Sequence, residues 1–408
     1  MPVFINRVLN MKNIKLIGFD MDYTLVRYHA RHGKVKIAYH GLTTLDFHKQ
    51  RQIYQEMAID LRDPDFQSLD TSFAISNGVL YSQLVQLKSE GCDLPPFHIM
   101  ADDVKHAIDI LHQDDSIKSC IRENFERFVI RDPQVAGMLE RYKDYGKKLM
   151  IITNSDYEYT RQLLDYSLNP YLKKHKSWKD LFELVITFAD KPRFFERIGR
   201  FLKINPETGL MSNHKGKVDK GLYQGGWFGK LQQDLAYSGS EILYLGDHIY
   251  GDVVSIKKTC NWRTALVLND LEAEIQGLIQ VRPVQKQINA LMNEKQSLEK
   301  EINRLDARRF EGENIPRSAI NTLFDKMDEL NVHISGLLGK YKTFFNPYWG
   351  EILRAGYDES RYAEQVEKYA CIYMTKVSDL NDYSPKTYFR PYHRTMPHEE
   401  AALSEEID

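Results

Sequence analysis

Five short runs of apolar residues punctuate the chain: Ile14 to Phe19, Leu149 to Ile152, Leu184 to Phe188, Ile242 to Leu245 and Thr264 to Leu268. Each is of strand length, rich in β-branched or aromatic side chains, and continuous rather than alternating. That pattern predicts strands covered on both faces, as in a parallel sheet. Helical spacing fills the gaps. Asp132 reads as an N-cap and Pro133 as the first helical position, followed by Val135, Met138, Leu139 and Tyr142 on one face, with a stop at Gly146. Strands alternating with such helices predict an α/β core, a Rossmann-like doubly wound parallel sheet.

Two stretches break this rhythm. From about Tyr28 to Ile130 the pattern is mostly helical, with segments such as Val79 to Leu87 and Val104 to Leu111, and predicts a cap inserted after the first strand. After Leu268, apolar residues at 288, 291, 298, 302 and 305, then at 320, 323, 327, 330, 334 and 337, keep a three-four spacing. Gly312 and Pro316 lie between the two sets, so the expectation is an antiparallel helical hairpin. The expected organisation is therefore a core over 1–28 and 131–270, a cap over 29–130, a hairpin over 271–345 and a C-terminal segment over 346–408. Beyond about Asp379, with Pro385, Pro391, Pro397 and an acidic end, loose order is expected.

Length and charge narrow the classes. The 408 residues, 42% of them hydrophobic, suffice for a large buried core. Lys and Arg number 55 against 57 Asp and Glu, so no broad basic field exists to draw in nucleic acid. Cys92, Cys120, Cys260 and Cys371 are far apart and form no Cys-x-x-Cys pair, which predicts reduced thiols and a cytoplasmic location. Arg7 and Lys12 interrupt the apolar N-terminus and no run approaches the ~18 residues of a membrane span, so no targeting or membrane role is expected.

The polar residues that follow the apolar runs carry the chemistry. Asp20 and Asp22 follow the first, Thr153, Asn154 and Ser155 the second, Asp190 and Lys191 the third, and Asp247 and Asp252 the fourth. Ligands of an open parallel sheet bind at the carboxyl ends of its strands, so these groups are predicted to converge on one crevice. Asp20 and Asp22 in near-extended chain project to the same side, roughly 6.5–7 Å apart, close enough for one carboxylate to attack phosphorus while the other moves a proton. Four aspartates beside a phosphate, with Lys191 the one positive charge, demand a divalent cation; all-oxygen ligands and a phosphate favour Mg²⁺. An Asp-x-Asp pair alone is a common acidic turn, and it is the four strand ends together that point to catalysis.

Competing motifs fail on residues. A calcium loop counted from Asp20 needs Gly and Glu where Leu25 and Arg31 stand. The Gly225 to Lys230 stretch lacks the first Gly and the last Ser/Thr of a P-loop, having Gln224 and Leu231. Thirteen histidines form no His-Glu-x-x-His or Cys/His cluster, so zinc has no support.

Taken in order, Asp20-Met21-Asp22-Tyr23-Thr24, Thr153-Asn154-Ser155, Lys191-Pro192 and Gly246-Asp247-His248-Ile249-Tyr250-Gly251-Asp252 resemble the four motifs of the haloacid dehalogenase-like phosphatases. The fuller wording, with Phe19, Leu25, Asp156-Tyr157 and Arg193-Phe194-Phe195, resembles the cytosolic purine 5'-nucleotidases that prefer IMP and GMP. The resemblance implies hydrolysis of purine nucleoside 5'-monophosphates, with phosphate transfer to a nucleoside as a further activity. It makes Asp20 the nucleophile and Asp22 the general acid and base. Asp20, the Asp22 backbone and Asp247 become the Mg²⁺ ligands, and Asp252 an orienting group behind them. Thr153, the Asn154 N–H and Lys191 would hold the phosphate. In the cap it implies Phe73 for base stacking, Lys105 and His112 for polar contacts to the purine, and Lys118 near the phosphate. At 105 this chain has Lys where better-known relatives carry Arg, which removes a planar fork suited to purine edges. The hairpin and the related proteins together imply a homo-oligomer. Two other readings stay open at this point: a phosphatase of another small phosphorylated metabolite, and a catalytically silent scaffold.

Overall fold

All five apolar runs are strands, and all five lie in one ten-stranded sheet. The computed structural model describes residues 3–21, 27–28, 38–46, 48–49, 52, 72–347, 350–355 and 358–391. In chain order the strands are β1 (Phe4–Ile5), β2 (Leu16–Phe19), β3 (Lys148–Ile152), β4 (Leu184–Thr187), β5 (Phe201–Ile204), β6 (Met211–Asn213), β7 (Gly221–Gly225), β8 (Ile242–Gly246), β9 (Arg263–Val267) and β10 (Ile372–Met374). Their order across the sheet is β1-β10-β9-β8-β2-β3-β4-β7-β5-β6. The seven from β10 to β7 are parallel; β1 at one edge runs antiparallel to β10, and at the other edge β5 runs antiparallel to β7 and β6 antiparallel to β5.

The continuous apolar runs are explained by a core on each face. Ile17, Phe19, Leu149, Ile151, Leu243 and Leu245 face one cluster, and Leu16, Met150, Ile152, Ile242 and Tyr244 the other. Alternate residues thus bury in opposite directions, and the few polar groups in these strands, such as the Thr187 and Thr264 hydroxyls, are hydrogen-bonded to backbone carbonyls. Gly18 belongs to this fit: a Cβ there would lie 2.5 Å from Met150 Cε and 2.9 Å from Tyr244 Cδ2. The central strand gives up its side chain so that two large neighbours can cross it.

Successive connections step from β2 through β3 and β4 in one direction, and then the chain returns to place β8 on the other flank of β2. The order therefore reverses between β2 and β8. In doubly wound sheets that switch point opens a crevice at the carboxyl ends of the strands. Asp20 and Asp247 are the residues that immediately follow these two strands.

Among the described residues of the inserted region the longer helices are α1 (Ser72–Ser89), α2 (Phe97–Gln113) and α3 (Ser116–Glu123). Arg27–Tyr28 pairs antiparallel with Val129–Ile130, so the chain departs from the core and rejoins it side by side. Helices α4 (Pro133–Asp144) and α5 (Tyr157–Ser167) cover the sheet, each capped by an aspartate: Asp132 accepts from Gln134 N at 3.0 Å and Asp156 from Tyr159 N at 2.8 Å. Helices α6 (Leu271–Phe310) and α7 (Arg317–Lys342) form the hairpin, with Ile288 and Ile302 of one and Ile320, Leu330 and Ile334 of the other buried. No described helix is long and apolar enough to cross a membrane.

The C-terminal segment departs from the sequence reading. Ile372–Met374 is a strand of the main sheet, parallel to β9, and Tyr388–Phe389 pairs with Leu9–Asn10. Loose order beyond Asp379 is therefore incorrect as far as residue 391. Leu380 and Phe389 are buried, and the Asp379 carboxylate accepts from Thr375 Oγ1 at 2.7 Å and Lys376 N at 3.2 Å. Prolines do not preclude order where neighbouring side chains reach the core.

Candidate active site

Strand ends β2, β3, β4 and β8 deliver their polar residues to the crevice at the switch point. Asp20 N donates to Leu245 O at 2.8 Å and Thr153 N to Ile186 O at 2.9 Å, which carries the ladder one residue past each strand and fixes where the side chains emerge. The Lys191 ammonium lies 2.9 Å from Asp20 Oδ1 and 2.9 Å from Asp252 Oδ1, almost fully buried with both partners. Asp247 joins them: one carboxylate oxygen each from Asp20, Asp247 and Asp252 lie within 4.8 Å of one another.

Local sequence explains the approach of Asp252. It lies on a π-helical turn, Ile249–Val254, which starts from His248; the His248 ring nitrogen Nδ1 accepts from Gly251 N at 3.1 Å. Asp252 Oδ2 in turn accepts from His248 N at 3.2 Å. Gly246 is the residue that permits this, because a Cβ there would lie 2.4 Å from the Asp252 side chain. The Gly-Asp-x-x-x-x-Asp spacing thus has a steric reason, and π-turns are frequent at functional sites.

Three carboxylates face one ammonium. Burial alone would push Lys191 down, but Asp20 and Asp252 outweigh it and hold the ammonium well above its usual range. Asp247 is driven the opposite way, well above the carboxylate range, by burial and then by the charges of Asp20 and Asp252. Carboxylates outnumber cations here, and oxygen donors so placed suit a hard divalent cation. Carboxylate oxygens this close together, all of them hard donors, are the kind of set that would hold Mg²⁺.

This sets a test of sign. A carboxyl whose folded-state affinity for protons is raised contributes stability below the ordinary carboxylate range, and that stability is lost as pH rises through the raised value. At neutral pH the metal-free protein therefore carries a penalty that it does not carry in acid. Asp247→Asn should therefore raise the Tm of chelator-treated protein at pH 7, with the difference closing toward pH ~4, and should blunt the further rise on adding Mg²⁺. Thermal melts across pH, with and without Mg²⁺, check both.

Two contacts at this site were not legible beforehand. Lys191 Nζ donates to Tyr244 Oη at 3.2 Å, and Tyr244 donates to Ile152 O at 2.9 Å. A tyrosine inside an otherwise apolar buried strand was the available signal, since its hydroxyl must find a partner. The Asn154 side chain meets the Lys191 backbone twice, accepting from Lys191 N at 2.6 Å and donating to Lys191 O at 3.0 Å. Asn154 thereby clamps the loop that presents the ammonium. Tyr244→Phe should lower kcat about tenfold with little change in KM. It should also cost about 1–2 kcal/mol of stability, from the Ile152 carbonyl left unpaired, as read by steady-state kinetics and urea melts.

The other sequence-named residues fall as follows. Thr153 is fully buried and its Oγ1 accepts from Ser155 N at 3.1 Å, which leaves the hydroxyl proton to donate elsewhere. Asp22 lies outside the described residues. Phe73 lies in the first turn of α1, and its side chain is likewise outside the description. Lys105 is on the exposed face of α2; His112, in the last turn of that helix, is pushed below its usual range by burial, which outweighs the attraction of Asp109. Lys118 on α3 reaches the core: its ammonium is 2.7 Å from Asp156 Oδ2, at the start of α5 and next to the Thr153 loop.

Comparison with known proteins supplies the family. A sequence model of the 5' nucleotidase family matches residues 3–32 and 30–401. A 5'-nucleotidase domain-containing protein of Dictyostelium discoideum is 24% identical over 458 residues, covering 97% of this chain and 74% of its own length. The 5'-nucleotidase domain-containing protein 2 of Rattus norvegicus is 25% identical over 355 residues; the match covers 85% of this chain and spans 59% of the rat protein's length. Among solved structures, an archaeal beta-phosphoglucomutase of Pyrococcus sp. strain ST 04 shares 12% identity over 62% of this chain and 86% of its own, with a TM-score of 0.31, which adds nothing to the topology above. With its strand-end aspartates and a family match that runs through nearly its whole length, the chain belongs to the 5' nucleotidase family, and with it to the phosphoric monoester hydrolases.

Proposed function

We propose that the protein is a Mg²⁺-dependent 5'-nucleotidase that hydrolyses purine nucleoside 5'-monophosphates of the IMP and GMP type through a phosphoaspartate at Asp20. The observation that carries this reading is the convergence of Asp20, Asp247, Asp252 and Lys191 at the switch point of the sheet. The family match supports a nucleotide as substrate, and the motif wording around residues 19–25 and 191–195 supports the purine preference.

In this mechanism an Asp20 oxygen attacks phosphorus, and the bond from phosphorus to O5' breaks as Asp22 gives its proton to the departing oxygen. Water then attacks the phosphoaspartate, Asp22 takes the water's proton, and phosphate leaves with Asp20 restored. A nucleoside hydroxyl in place of that water gives phosphotransfer. Lys191 offsets charge on the transferring oxygens, while Thr153 and the Asn154 N–H position them. Asp20, Asp247 and the Asp22 backbone would hold the cation; Asp252 shares the carboxylate cluster with Asp20 and Asp247 and is bonded to Lys191. Mg²⁺, when bound, supplies the charge neutralisation that lets a phosphate dianion enter an acidic site.

The test is phosphate release from a panel of nucleoside 5'-monophosphates and sugar phosphates, with Mg²⁺ or with chelator. IMP and GMP should lead, and chelator should abolish turnover. Comparable rates on sugar phosphates would favour a phosphatase of another small metabolite.

A further inference from the structure

The residue that closes β4 is held in a conformation its side chain disfavours. Phe188 has φ +42°, in the left-handed region, where a bulky non-glycine residue is an outlier. The residue is 48% exposed, so burial does not account for it. The backbone is fixed from both sides: Phe188 N donates to Ser155 O at 2.9 Å and Ala189 N donates to Thr153 O at 3.0 Å. Strain over-determined by its surroundings in this way is typical of ligand clamps. The partner loop here is the one that carries Thr153 and Asn154, and Lys191 follows three residues on.

Phe188 is also where core and cap meet. The Lys118 ammonium of α3 lies 5.8 Å from the Phe188 ring centroid and 5.4 Å from that of Tyr159, while paired with Asp156. A cation over the ring fixes its orientation from one side, and the exposed remainder of the ring faces out. Because β3 separates β4 from β2, the tips of β4 and β2 are about 9.6 Å apart. A 5'-mononucleotide covers a comparable distance from its phosphorus to the far edge of a purine base. Phosphorus at Asp20 therefore puts a planar base within reach of the Phe188 ring.

We infer that Phe188 is a specificity-determining residue, an aromatic platform against which the base of a nucleoside monophosphate stacks while its phosphate is held at Asp20. The inference rests on the nucleotidase reading above and adds a contact from the core to those expected of the cap. It predicts that the ring contributes to binding of the base and not to phosphoryl transfer.

The experiment compares IMP with ribose 5-phosphate, its base-free counterpart, on wild type, Phe188→Gly, Phe188→Leu and Phe188→Tyr, with Mg²⁺ present. Phe188→Gly removes the ring and relieves the positive φ, so its Tm should equal or exceed that of wild type; Phe188→Tyr keeps the ring. For IMP, KM should rise about tenfold in the Gly and Leu variants, with kcat little changed, and stay near wild type in Tyr. For ribose 5-phosphate all four proteins should behave alike. Equal losses on both substrates would make Phe188 a purely structural residue, and an unchanged KM for IMP in the Gly variant would also overturn the inference. Wild type by itself reports on the parent reading: if it does not prefer IMP to ribose 5-phosphate, the nucleotidase reading fails and the platform falls with it.

Discussion

Asp20→Asn should reduce phosphate release by about 10⁴-fold or more while leaving the fold intact. The amide keeps the size of the carboxylate and can still accept from Met21 N, now at 2.8 Å from Asp20 Oδ1, but it cannot attack phosphorus. Two observations keep the effect from being one of stability. Asp20 lies at the end of β2 and its backbone hydrogen bond to Leu245 is unaffected by the side chain. Removing its charge also relieves a site where carboxylates outnumber cations, so the metal-free Tm should not fall. Phosphate assays paired with thermal melts read both quantities; activity within about tenfold of wild type would remove Asp20 from the role of nucleophile.

Lys191→Met should damage both rate and fold. The ammonium is the group that bridges Asp20 and Asp252, and with it gone three carboxylates share a buried site without a counter-charge. Breaking a buried pair from one side costs about 3–5 kcal/mol, because the remaining charge keeps its desolvation penalty. The loss of a cation aimed at transferring oxygens costs about 10²–10³ in kcat. The two effects separate in a second variant: Lys191→Met/Asp252→Asn removes one of the three stranded charges and should recover part of the stability but none of the rate. Denaturant melts and kcat together decide it. If the double variant is no more stable than the single one, electrostatic compensation is not what Lys191 provides.

The legible part of the fold was what local pattern specifies. Leu16–Phe19 and Ile242–Gly246 announce themselves because both faces of a central parallel strand are covered, so the run is unbroken. Gly221–Gly225 and Phe201–Ile204 are strands with glycine, glutamine and lysine among their residues, since they lie toward the edge where one side meets water. Ile372–Met374 escaped notice for another reason. It is three residues long, and its partner β9 lies more than a hundred residues earlier, so nothing nearby in sequence reveals the pairing.

The candidate site divides along the same line. Aspartates directly after apolar runs were visible because strand ends in such sheets are where ligands bind. The contacts that position them were not. Asn154 clamps a loop 37 residues away, and Tyr244 reaches a lysine 53 residues away; each requires knowing which strands are neighbours. Phe188 reads as the end of a strand, and its backbone conformation and the cation over its ring, neither visible in the sequence, set it apart. The cap residues Lys105 and His112 share one helix with many exposed polar neighbours, and helical spacing does not say which of them turns toward the crevice.

The central claim is a covalent bond between phosphorus and Asp20, and the direct measurement is rapid acid quench during turnover of IMP with Mg²⁺, followed by peptide mass analysis. A phosphoryl group should appear on the peptide carrying Asp20, decay as substrate is exhausted, and be absent from Asp20→Asn. Turnover with no phosphoryl group on that peptide at any quench time, or with the same label retained in Asp20→Asn, would contradict it.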